Sequence, residues 1–538
     1  MESNNHLRRR RPRTPQRGYR DFLDETSGAH AARVFRKKAD ELQNELLGKF
    51  DAEFHEIIDQ CADELEEPTL KSKKHTNLYD AEGRKVFIAR ESLLTELLEI
   101  NHIQTIYNIF VALLILFIMN TLVYDYIETG RFGVDFSLIL WAFGKVPVVV
   151  TTWLMMMMYT FTIFPLMQAW IFNQKSWIPL PDLMWIMCYG IYMLFFAYFP
   201  VVEIIKHDVP TVSTIIVLCE QVRLMMKVHA FARENFTKVL KIRNEEDSEK
   251  KEAQFDNMPG FSQFLYFLFA PTLIYRDSYP MTPQIRWEYV VTNVLQVIVC
   301  VFFTYYVFAR FCVPVFRNTG KDQGHLRELL LATFSCMLPG TLVLILGFFS
   351  ILHSWLNAFA EMLRFADRMF YRDWWNSFSY AAYYRMWNVV VHDWLFAYIY
   401  KDTLLLFGED KKALAAILVF VLSAIAHEYI LILAFGFFFP LLFFMFGGVG
   451  FLFSLIGPKK GAGQPHSAWN IFMWVSLILG NGLLMCLYSQ EWYASKNCPR
   501  DMSKISEVLI PRSWSSDCVK WSWDVDKRLP ASPLLKSR

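Results

Sequence analysis

Apolar residues recur in long, nearly uninterrupted runs along most of this chain of 538 residues. Each run holds about twenty residues or more, which is the length a helix needs to cross the hydrocarbon core of a bilayer. The pattern therefore predicts an all-α, polytopic membrane protein with about nine transmembrane helices. The predicted spans lie near residues 104–124, 136–165, 183–205, 288–309, 329–352, 386–407, 413–435, 437–456 and 468–488.

One further apolar stretch, residues 210–232, differs from these runs because it contains Glu220, Arg223 and Lys227. Charged side chains are costly in hydrocarbon unless they face protein or water. This stretch is therefore predicted to be a buried or partly interfacial helix.

The N-terminal region has a different pattern. Residues 1–35 are basic and lack hydrophobic periodicity, which predicts a disordered cytosolic tail. In residues 36–68 apolar positions recur every three or four residues opposite an acidic face, which predicts an amphipathic helix. An anionic membrane surface would repel that face, so we expect self-association, with packing on the same chain as the alternative. The remaining predicted regions are a cytosolic linker (69–100), the multi-span domain (101–490) and a C-terminal tail (491–538).

The composition agrees with a membrane protein, since 54% of residues are hydrophobic, 17% aromatic and only 20% charged. The net charge of +2 gives no indication of a partner, and no nucleic acid is expected. The nine cysteines include no CxxC pair, which argues against a zinc site or a redox motif. The basic residues 7–13 are followed by polar ones, so no cleavable signal peptide is predicted.

The distribution of basic residues predicts the topology. The N-terminus is basic and the loop 233–260 is rich in Lys, Arg and Glu, so the positive-inside rule places both in the cytosol. An odd number of spans then puts the C-terminus in the lumen. A disulfide between Cys498 and Cys518 is chemically permitted there, the alternative being two unpaired surface thiols.

The first candidate for chemistry is His427, which together with Glu428 is ionisable deep within the predicted span 413–435. An ionisable group inside a span is by default a functional-site hypothesis. The alternative is a core histidine that bonds a neighbouring helix. Ser423 lies one helical turn earlier on the same face, and Leu431 stands where a zinc-binding HExxH motif needs its second histidine.

The second candidate is WNVVVHDW, residues 387–394. Asn388 and His392 are four residues apart and so share a helix face, with Asp393 beside them. Hydrogen bonding between helices is the alternative role for these polar side chains.

The third candidate is FYRDWWN, residues 370–376. Aromatic residues at a span boundary ordinarily form an interfacial belt, and that alternative applies to Phe370, Tyr371, Trp374 and Trp375. A belt does not explain the acid and the amide that accompany these rings. Those two residues are Asp373 and Asn376.

Charged residues surround this third stretch. The preceding segment, 356–369, carries acidic and basic residues about a turn apart, and we expect its ion pairs to order the loop that follows. Lys401, Lys411 and Lys412 cluster at the predicted cytosolic ends of two helices. A basic rim of this kind attracts an anionic, phosphate-bearing substrate, although positive-inside bias also places lysines there.

These three stretches, with FLFAPTLIYRDSYP (267–280) and YSQEWYA (488–494), resemble the sterol O-acyltransferases, a branch of the membrane-bound O-acyltransferase family. The resemblance runs from about residue 85 to the C-terminus. It implies the membrane-bound O-acyltransferase fold and a homo-oligomeric enzyme of the endoplasmic reticulum membrane. It also implies that a long-chain acyl group passes from acyl-coenzyme A, a co-substrate rather than a bound cofactor, to the hydroxyl of cholesterol.

The resemblance also implies roles for individual residues. His427 matches the family's catalytic histidine, Asn388 matches the asparagine that partners it, and FYRDWWN matches a loop associated with acyl-coenzyme A. Ala382 stands where relatives commonly carry Asn, which puts one polar contact to acyl-coenzyme A in doubt. Further positions that match the family's acyl-coenzyme A path are Arg385, Tyr400, Lys412 and Ser423.

Chemistry and resemblance together predict a mechanism. His427 would remove the proton of the sterol hydroxyl, and Asn388 would stabilise the oxyanion of the thioester carbonyl. An acyl-enzyme on Ser423 is an alternative route. A diacylglycerol acyltransferase and a non-enzymatic sterol transporter or scaffold are the alternative functions.

Overall fold

The computed structural model describes residues 84–130, 136–174, 181–245, 258–319, 326–455, 467–498 and 509–515, with a few isolated residues beside them. The chain divides into two compact units, 1–80 and 81–538. In the first unit only Arg36, Lys38 and Asp80 are described, so the basic tail and the amphipathic helix lie outside the described residues and stay predictions. The same holds for the C-terminal tail after residue 515.

The second unit is helical throughout its described part, in which no β-strand forms. Its α-helices are α1 (Leu93–Leu98), α2 (Asn101–Thr129), α3 (Ser137–Ala142), α4 (Val146–Phe161), α5 (Ile163–Gln174), α6 (Asp182–Lys206), α7 (Thr211–Arg243), α8 (Phe261–Phe269), α9 (Trp287–Val307), α10 (Val313–Phe316), α11 (Leu326–Gly347), α12 (Leu356–Met362), α13 (Tyr380–Trp387), α14 (Val389–Leu395), α15 (Lys401–Phe407), α16 (Lys412–Phe435), α17 (Phe451–Leu455) and α18 (Ser467–Asn497). Four π-helical segments continue or join them: Phe308–Cys312, Phe348–Trp355, Phe396–Tyr400 and Phe443–Gly450.

Seven helical segments among the described residues are long and apolar enough to cross a membrane. The prediction of an all-α polytopic membrane protein is thereby confirmed. The seven segments are Asn101–Glu128, Ser137–Gln174, Asp182–Lys206, Trp287–Phe316, Leu326–Met362, Lys412–Phe435 and Ser467–Asn497.

Two of the nine predicted spans differ from this pattern. The predicted span 386–407 is broken at Asn388, whose backbone has φ −135° and ψ 88°, and the helix after the break carries Asp393, Lys401 and Asp402. The predicted span 437–456 contains only a short apolar helix, Phe443–Leu455. Average hydrophobicity suggested a span in each case. In the first stretch the helix is broken at a polar residue, and in the second the helix is short.

The stretch 210–232 forms the buried helix that its charges indicated. It lies within α7, where Lys227 is only 1% exposed. The Lys227 ammonium donates hydrogen bonds to the carbonyl oxygens of Phe267 and Ala270, the latter at 2.7 Å. It therefore satisfies carbonyls at the C-terminal end of α8, which otherwise lack intrahelical partners.

Helices α11 and α18 pack closely against each other. A Cβ atom at Gly482 would lie 2.9 Å from the Met337 side chain and 3.0 Å from its Cα. Only glycine permits the two backbones to approach this closely. At the C-terminal end of α18, Cys498 is disulfide-bonded; Cys518 lies outside the described residues, so their pairing stays a prediction.

Candidate active site

The loop 370–376 turns its aromatic rings inward. Phe370 and Tyr371 are each 1% exposed, and Trp374 is 3% exposed. Trp374 packs against Trp387 with ring centroids 4.7 Å apart and against Phe348 at 5.1 Å. An interfacial belt would leave these rings on the outer surface, so their burial rules out that alternative for the three residues.

The same loop is joined to the break at Asn388. The backbone N–H of Val389 donates to the carbonyl of Phe370, and that of Arg372 donates to the carbonyl of Met386, each at 2.9 Å. The second and third stretches singled out in the sequence are therefore in direct contact.

Buried ion pairs hold the segment that leads into the loop, as the charge pattern predicted. Arg368 bonds Glu361 at 2.5 Å, and both side chains are at most 1% exposed. Arg90 bonds Asp367 at 2.7 Å, and Arg286 adds a second contact to Glu361 at 2.9 Å. Charge-assisted hydrogen bonds of this kind are stronger than neutral ones, so they fix the start of the loop.

A buried polar cluster behind the loop was missed by sequence reasoning. The Tyr371 hydroxyl lies 2.7 Å from Nδ1 of His353, and the Asn357 amide donates to Ser92 at 3.0 Å. Burial raises the pKa of the Tyr371 phenol, which therefore stays neutral. His353 and Asn357 lie four residues apart in a spanning helix, and that spacing was the available signal.

The acid and the amide of the loop point the other way. Asp373 and Asn376 are exposed, and neither side chain forms a hydrogen bond within the part of the chain that the structure describes. The acid and the amide are therefore available to a ligand while the aromatic residues hold the loop.

Asn388 is the N-cap of α14. Its side-chain oxygen Oδ1 accepts a hydrogen bond from the Val391 N–H at 3.1 Å. Asn is a favoured N-cap because this bond satisfies one of the free N–H groups of the first turn. Since the cap uses only the oxygen, the amide NH₂ remains as a donor, with no partner among the described residues.

The helix after Asn388 carries a row of rings at four-residue spacing. His392 stacks on Phe396 and Phe396 on Tyr400, with centroids 6.4 and 5.5 Å apart. Asp393, the second residue singled out beside Asn388, is instead buried in a 2.6 Å ion pair with Lys85. His392 thus belongs to the row that leads from Asn388 to Tyr400, and its Nδ1 atom lies 3.5 Å from Oδ1 of Asp393.

His427 lies on α16, and its ring is oriented by its own helix. Its Nδ1 atom is 2.7 Å from the Ser423 carbonyl oxygen. Ile425 belongs to the exposed apolar side of α16. Two residues advance a helix by about 200°, so His427 faces away from that side, toward the other helices. It is nevertheless solvent-exposed in the structure.

Aromatic rings connect His427 to the helix before Asn388. The Phe446 ring lies 5.5 Å from His427 and 5.0 Å from Tyr384, with Phe420 5.3 Å from Tyr384. Tyr384 is four residues before Asn388, on α13. No hydrogen bond joins His427 to Asn388 in the described residues, so this aromatic wall (Tyr384, Phe420 and Phe446) is what relates them.

The other predicted site residues lie on several different elements. Lys412 is exposed at the start of α16, fifteen residues or about 22 Å of helix before His427. Arg385 is exposed on α13, and Tyr400 is partly buried. Ala382 lies on α13, where its N–H bonds the Ser379 hydroxyl at 3.2 Å. The structure thus places these residues on α13, on α16 and on the π-helical segment Phe396–Tyr400.

The chain is thus a helical membrane protein with a histidine on a spanning helix and an amide donor at a helix break. The chain belongs to the membrane-bound O-acyltransferase family, whose model matches residues 136–490. The family to which the sequence motifs pointed is thereby confirmed.

Its relatives include sterol O-acyltransferases of two types. Over 442 residues the chain is 49% identical to sterol O-acyltransferase 1 of Chlorocebus aethiops, covering 81% of this chain and 78% of the relative. Over 443 residues it is 47% identical to the Mus musculus protein of the same name, covering 81% and 79%. Over 489 residues it is 39% identical to sterol O-acyltransferase 2 of Homo sapiens, covering 90% of this chain and 91% of the relative.

Proposed function

We propose that this enzyme transfers a long-chain acyl group from acyl-coenzyme A to the 3-hydroxyl group of cholesterol, giving cholesteryl ester and coenzyme A. Family membership and the names of the relatives support the reaction class. The observation that carries the assignment of a base is the contact between His427 and the Ser423 carbonyl at 2.7 Å. A carbonyl oxygen can only accept, so Nδ1 carries the ring proton and Nε2 keeps the lone pair that a general base needs.

The bond changes follow from this assignment. As the sterol oxygen attacks the thioester carbonyl, its proton moves to Nε2 of His427. The C–O bond forms, the C–S bond breaks, and the proton passes from His427 to the departing thiolate. The Asn388 NH₂, oriented by its cap to Val391, donates to the oxyanion that develops on the carbonyl. No acyl-enzyme is needed, and trapping an acyl group on Ser423 would overturn this direct transfer.

Acyl-coenzyme A would enter along the path between the exposed polar side chains and His427. Asp373 and Asn376 would contact its polar portion, and Arg385 and Lys412 would attract its phosphates. Tyr400 lies on the row of rings that leads toward Asn388. The aromatic wall packs beside His427 and would exclude water, which otherwise hydrolyses the thioester.

We further propose the setting of this activity. The enzyme would reside in the endoplasmic reticulum membrane with a cytosolic N-terminus and a lumenal C-terminus, and would assemble as a homo-oligomer through residues 36–68. The basic residues of the chain and its spanning helices support this topology. A glycosylation acceptor added at the C-terminus should become modified and one added at the N-terminus should not. Deleting residues 36–68 should reduce the oligomer size.

A reconstituted assay tests the reaction and its acceptor. The purified chain in lipid vesicles receives labelled oleoyl-coenzyme A with either cholesterol or diacylglycerol. We expect ester formation with cholesterol, abolished by His427→Ala and retained by His102→Ala, which alters an exposed histidine at the start of α2. Transfer to diacylglycerol alone, or full activity of a folded His427→Ala variant, would overturn the proposal.

A further inference from the structure

A short segment on the N-terminal side of the first spanning helix contacts both halves of the candidate site. We call residues 85–92 the strap. One end of the strap bonds helix α14, which begins at Asn388, and the other bonds the segment that leads into the loop 370–376. Nothing in the apolar pattern of the sequence singled out this segment.

The first end of the strap is Lys85. Its ammonium lies 2.6 Å from Oδ2 of Asp393, and the two side chains are only 8% and 7% exposed. Asp393 is five residues after Asn388 on the same short helix. A buried pair that is nearly closed to solvent is held much more firmly than an exposed one.

The second end of the strap is Arg90, which bonds through its backbone and its side chain. Its N–H donates to the Ala366 carbonyl at 2.8 Å, and its carbonyl accepts from Arg368 at 3.2 Å. Its guanidinium makes two bonds to Asp367, at 2.7 and 3.1 Å. Asp367 is three residues before Phe370, so this end fixes the start of the loop.

Between its ends the strap is anchored to the core. The Phe87 ring packs against Tyr279 at 5.0 Å and Phe365 at 6.1 Å. Arg90 is five positions after Lys85, and an extended chain spans about 17 Å over that spacing. The strap therefore holds its two ends at a defined distance from each other.

We propose that the strap positions the Asn388 helix relative to the loop 370–376, and that Lys85 is the residue that sets this spacing for acyl-coenzyme A. The inference rests on the proposed function, in which the loop contacts the polar portion of acyl-coenzyme A and Asn388 faces its thioester. Among the described residues one backbone hydrogen bond joins these two elements directly, from Val389 to Phe370, and a second joins the loop to α13, from Arg372 to Met386. One ligand must contact both elements at once, so a change in their spacing weakens its binding.

The central experiment measures acyl-coenzyme A kinetics for Lys85 variants of the full chain. Lys85→Met should raise KM for acyl-coenzyme A at least about fivefold and change kcat by less than about twofold, which is the signature of lost uniform binding. Lys85→Arg, which preserves the cation, should recover most of the wild-type KM. If the strap served stability alone, Lys85→Met would have a lower unfolding temperature and an unchanged KM. That result would overturn the proposal.

A double variant separates positioning from the cost of an unpaired buried charge. Lys85→Met combined with Asp393→Asn leaves no buried charge at this contact and should recover unfolding temperature relative to Lys85→Met. Its KM for acyl-coenzyme A should remain raised because the ion pair between Lys85 and Asp393 is still missing. Recovery of KM together with stability would overturn a positioning role.

An exposed ion pair elsewhere in the chain provides the matched control. Lys238 bonds Asp277 at 2.5 Å, with side chains 31% and 49% exposed. Lys238→Met should leave both KM and kcat unchanged, and an equal rise in KM would overturn the specific role of Lys85.

A non-hydrolysable acyl-coenzyme A analogue separates the two proposals. Weaker binding of the analogue by Lys85→Met supports the positioning role of the strap, even if the wild-type chain acylates no sterol. The absence of sterol acylation would overturn the proposed function alone.

Discussion

The Nδ1 atom of His427 lies 2.7 Å from the carbonyl oxygen of Ser423, one helical turn earlier on α16. Because the helix itself supplies this acceptor, the ring is oriented locally, with no carboxylate partner among the described residues. The nitrogen left over, Nε2, is on the side of α16 opposite the exposed apolar row. Glu428, the next residue, accepts a hydrogen bond from the Phe443 N–H at 2.9 Å and so has a structural role instead.

The first prediction concerns this histidine. His427→Ala should lower kcat for acyl transfer by a factor of at least about 10², the usual contribution of a general base. Because the ring is exposed and bonds only its own helix, the unfolding temperature should change little. A folded His427→Ala variant with near wild-type kcat would show that the base is elsewhere.

The second prediction separates the two functions of Asn388. Asn388→Asp keeps an oxygen that can accept from the Val391 N–H, so the cap survives, but the NH₂ donor is lost. We expect kcat to fall by about 10² to 10³, the usual effect of removing one oxyanion donor. Asn388→Ala should lose similar activity and also about 0.5–2 kcal/mol of stability, because the cap is gone.

Activity assays and thermal unfolding measurements on both Asn388 variants separate the donor function of the amide from its cap function. Equal activity of Asn388→Asp and wild type would mean that the amide donor takes no part in the reaction. A loss of stability in Asn388→Asp as large as in Asn388→Ala would mean that the cap was not preserved.

Much of the architecture was predictable because spanning helices depend on length and apolarity alone. Seven predicted spans are helices of this kind, and α7 is buried as its charges indicated. The stretch 386–407 differs from the prediction because hydropathy averages over its polar residues, whereas Asn388 caps a new helix there that carries Asp393, Lys401 and Asp402. Asn before the run Val-Val-Val was a capping signal that composition concealed.

Contacts distant in sequence could not be predicted. The bond between Tyr371 and His353, the ion pair between Lys85 and Asp393, and the approach of Tyr384 to Gly450 depend on how the helices pack. The π-helical segments, such as Phe443–Gly450, likewise arise from packing rather than from local propensity. The motifs therefore indicated which stretches meet, but not the side chains that join them.

The third prediction concerns the loop 370–376. Asp373→Ala and Asn376→Ala should raise KM for acyl-coenzyme A while leaving the unfolding temperature unchanged, since both side chains are exposed and bond no described residue. Trp374→Ala is the contrasting variant, because its buried ring should cost about 3–5 kcal/mol of stability on removal. Steady-state kinetics with unfolding measurements distinguish the two classes. If Asp373→Ala and Asn376→Ala were kinetically silent, the loop would have a structural role only.

The fourth prediction uses two glycines of one π-helical segment. A Cβ atom at Gly450 would collide with the Tyr384 hydroxyl and lie 3.3 Å from its ring carbon Cζ, whereas one at Gly448 would meet no atom within 4 Å. Gly450→Ala should displace Tyr384, which packs on Phe446 beside His427. Overpacking costs about 1–3 kcal/mol, so we expect kcat to fall about tenfold if the strain reaches the reacting groups.

The matched variants decide whether the aromatic wall matters for catalysis. Gly448→Ala should retain wild-type kcat, since its methyl group enters open space. Adding Tyr384→Phe to Gly450→Ala removes the colliding hydroxyl and should restore most of the lost activity. If Gly450→Ala were fully active, or if the second substitution restored nothing, Tyr384 would not transmit packing changes to His427. Recovery in the double variant would show that the position of one ring on α13 controls the reaction at a histidine on α16.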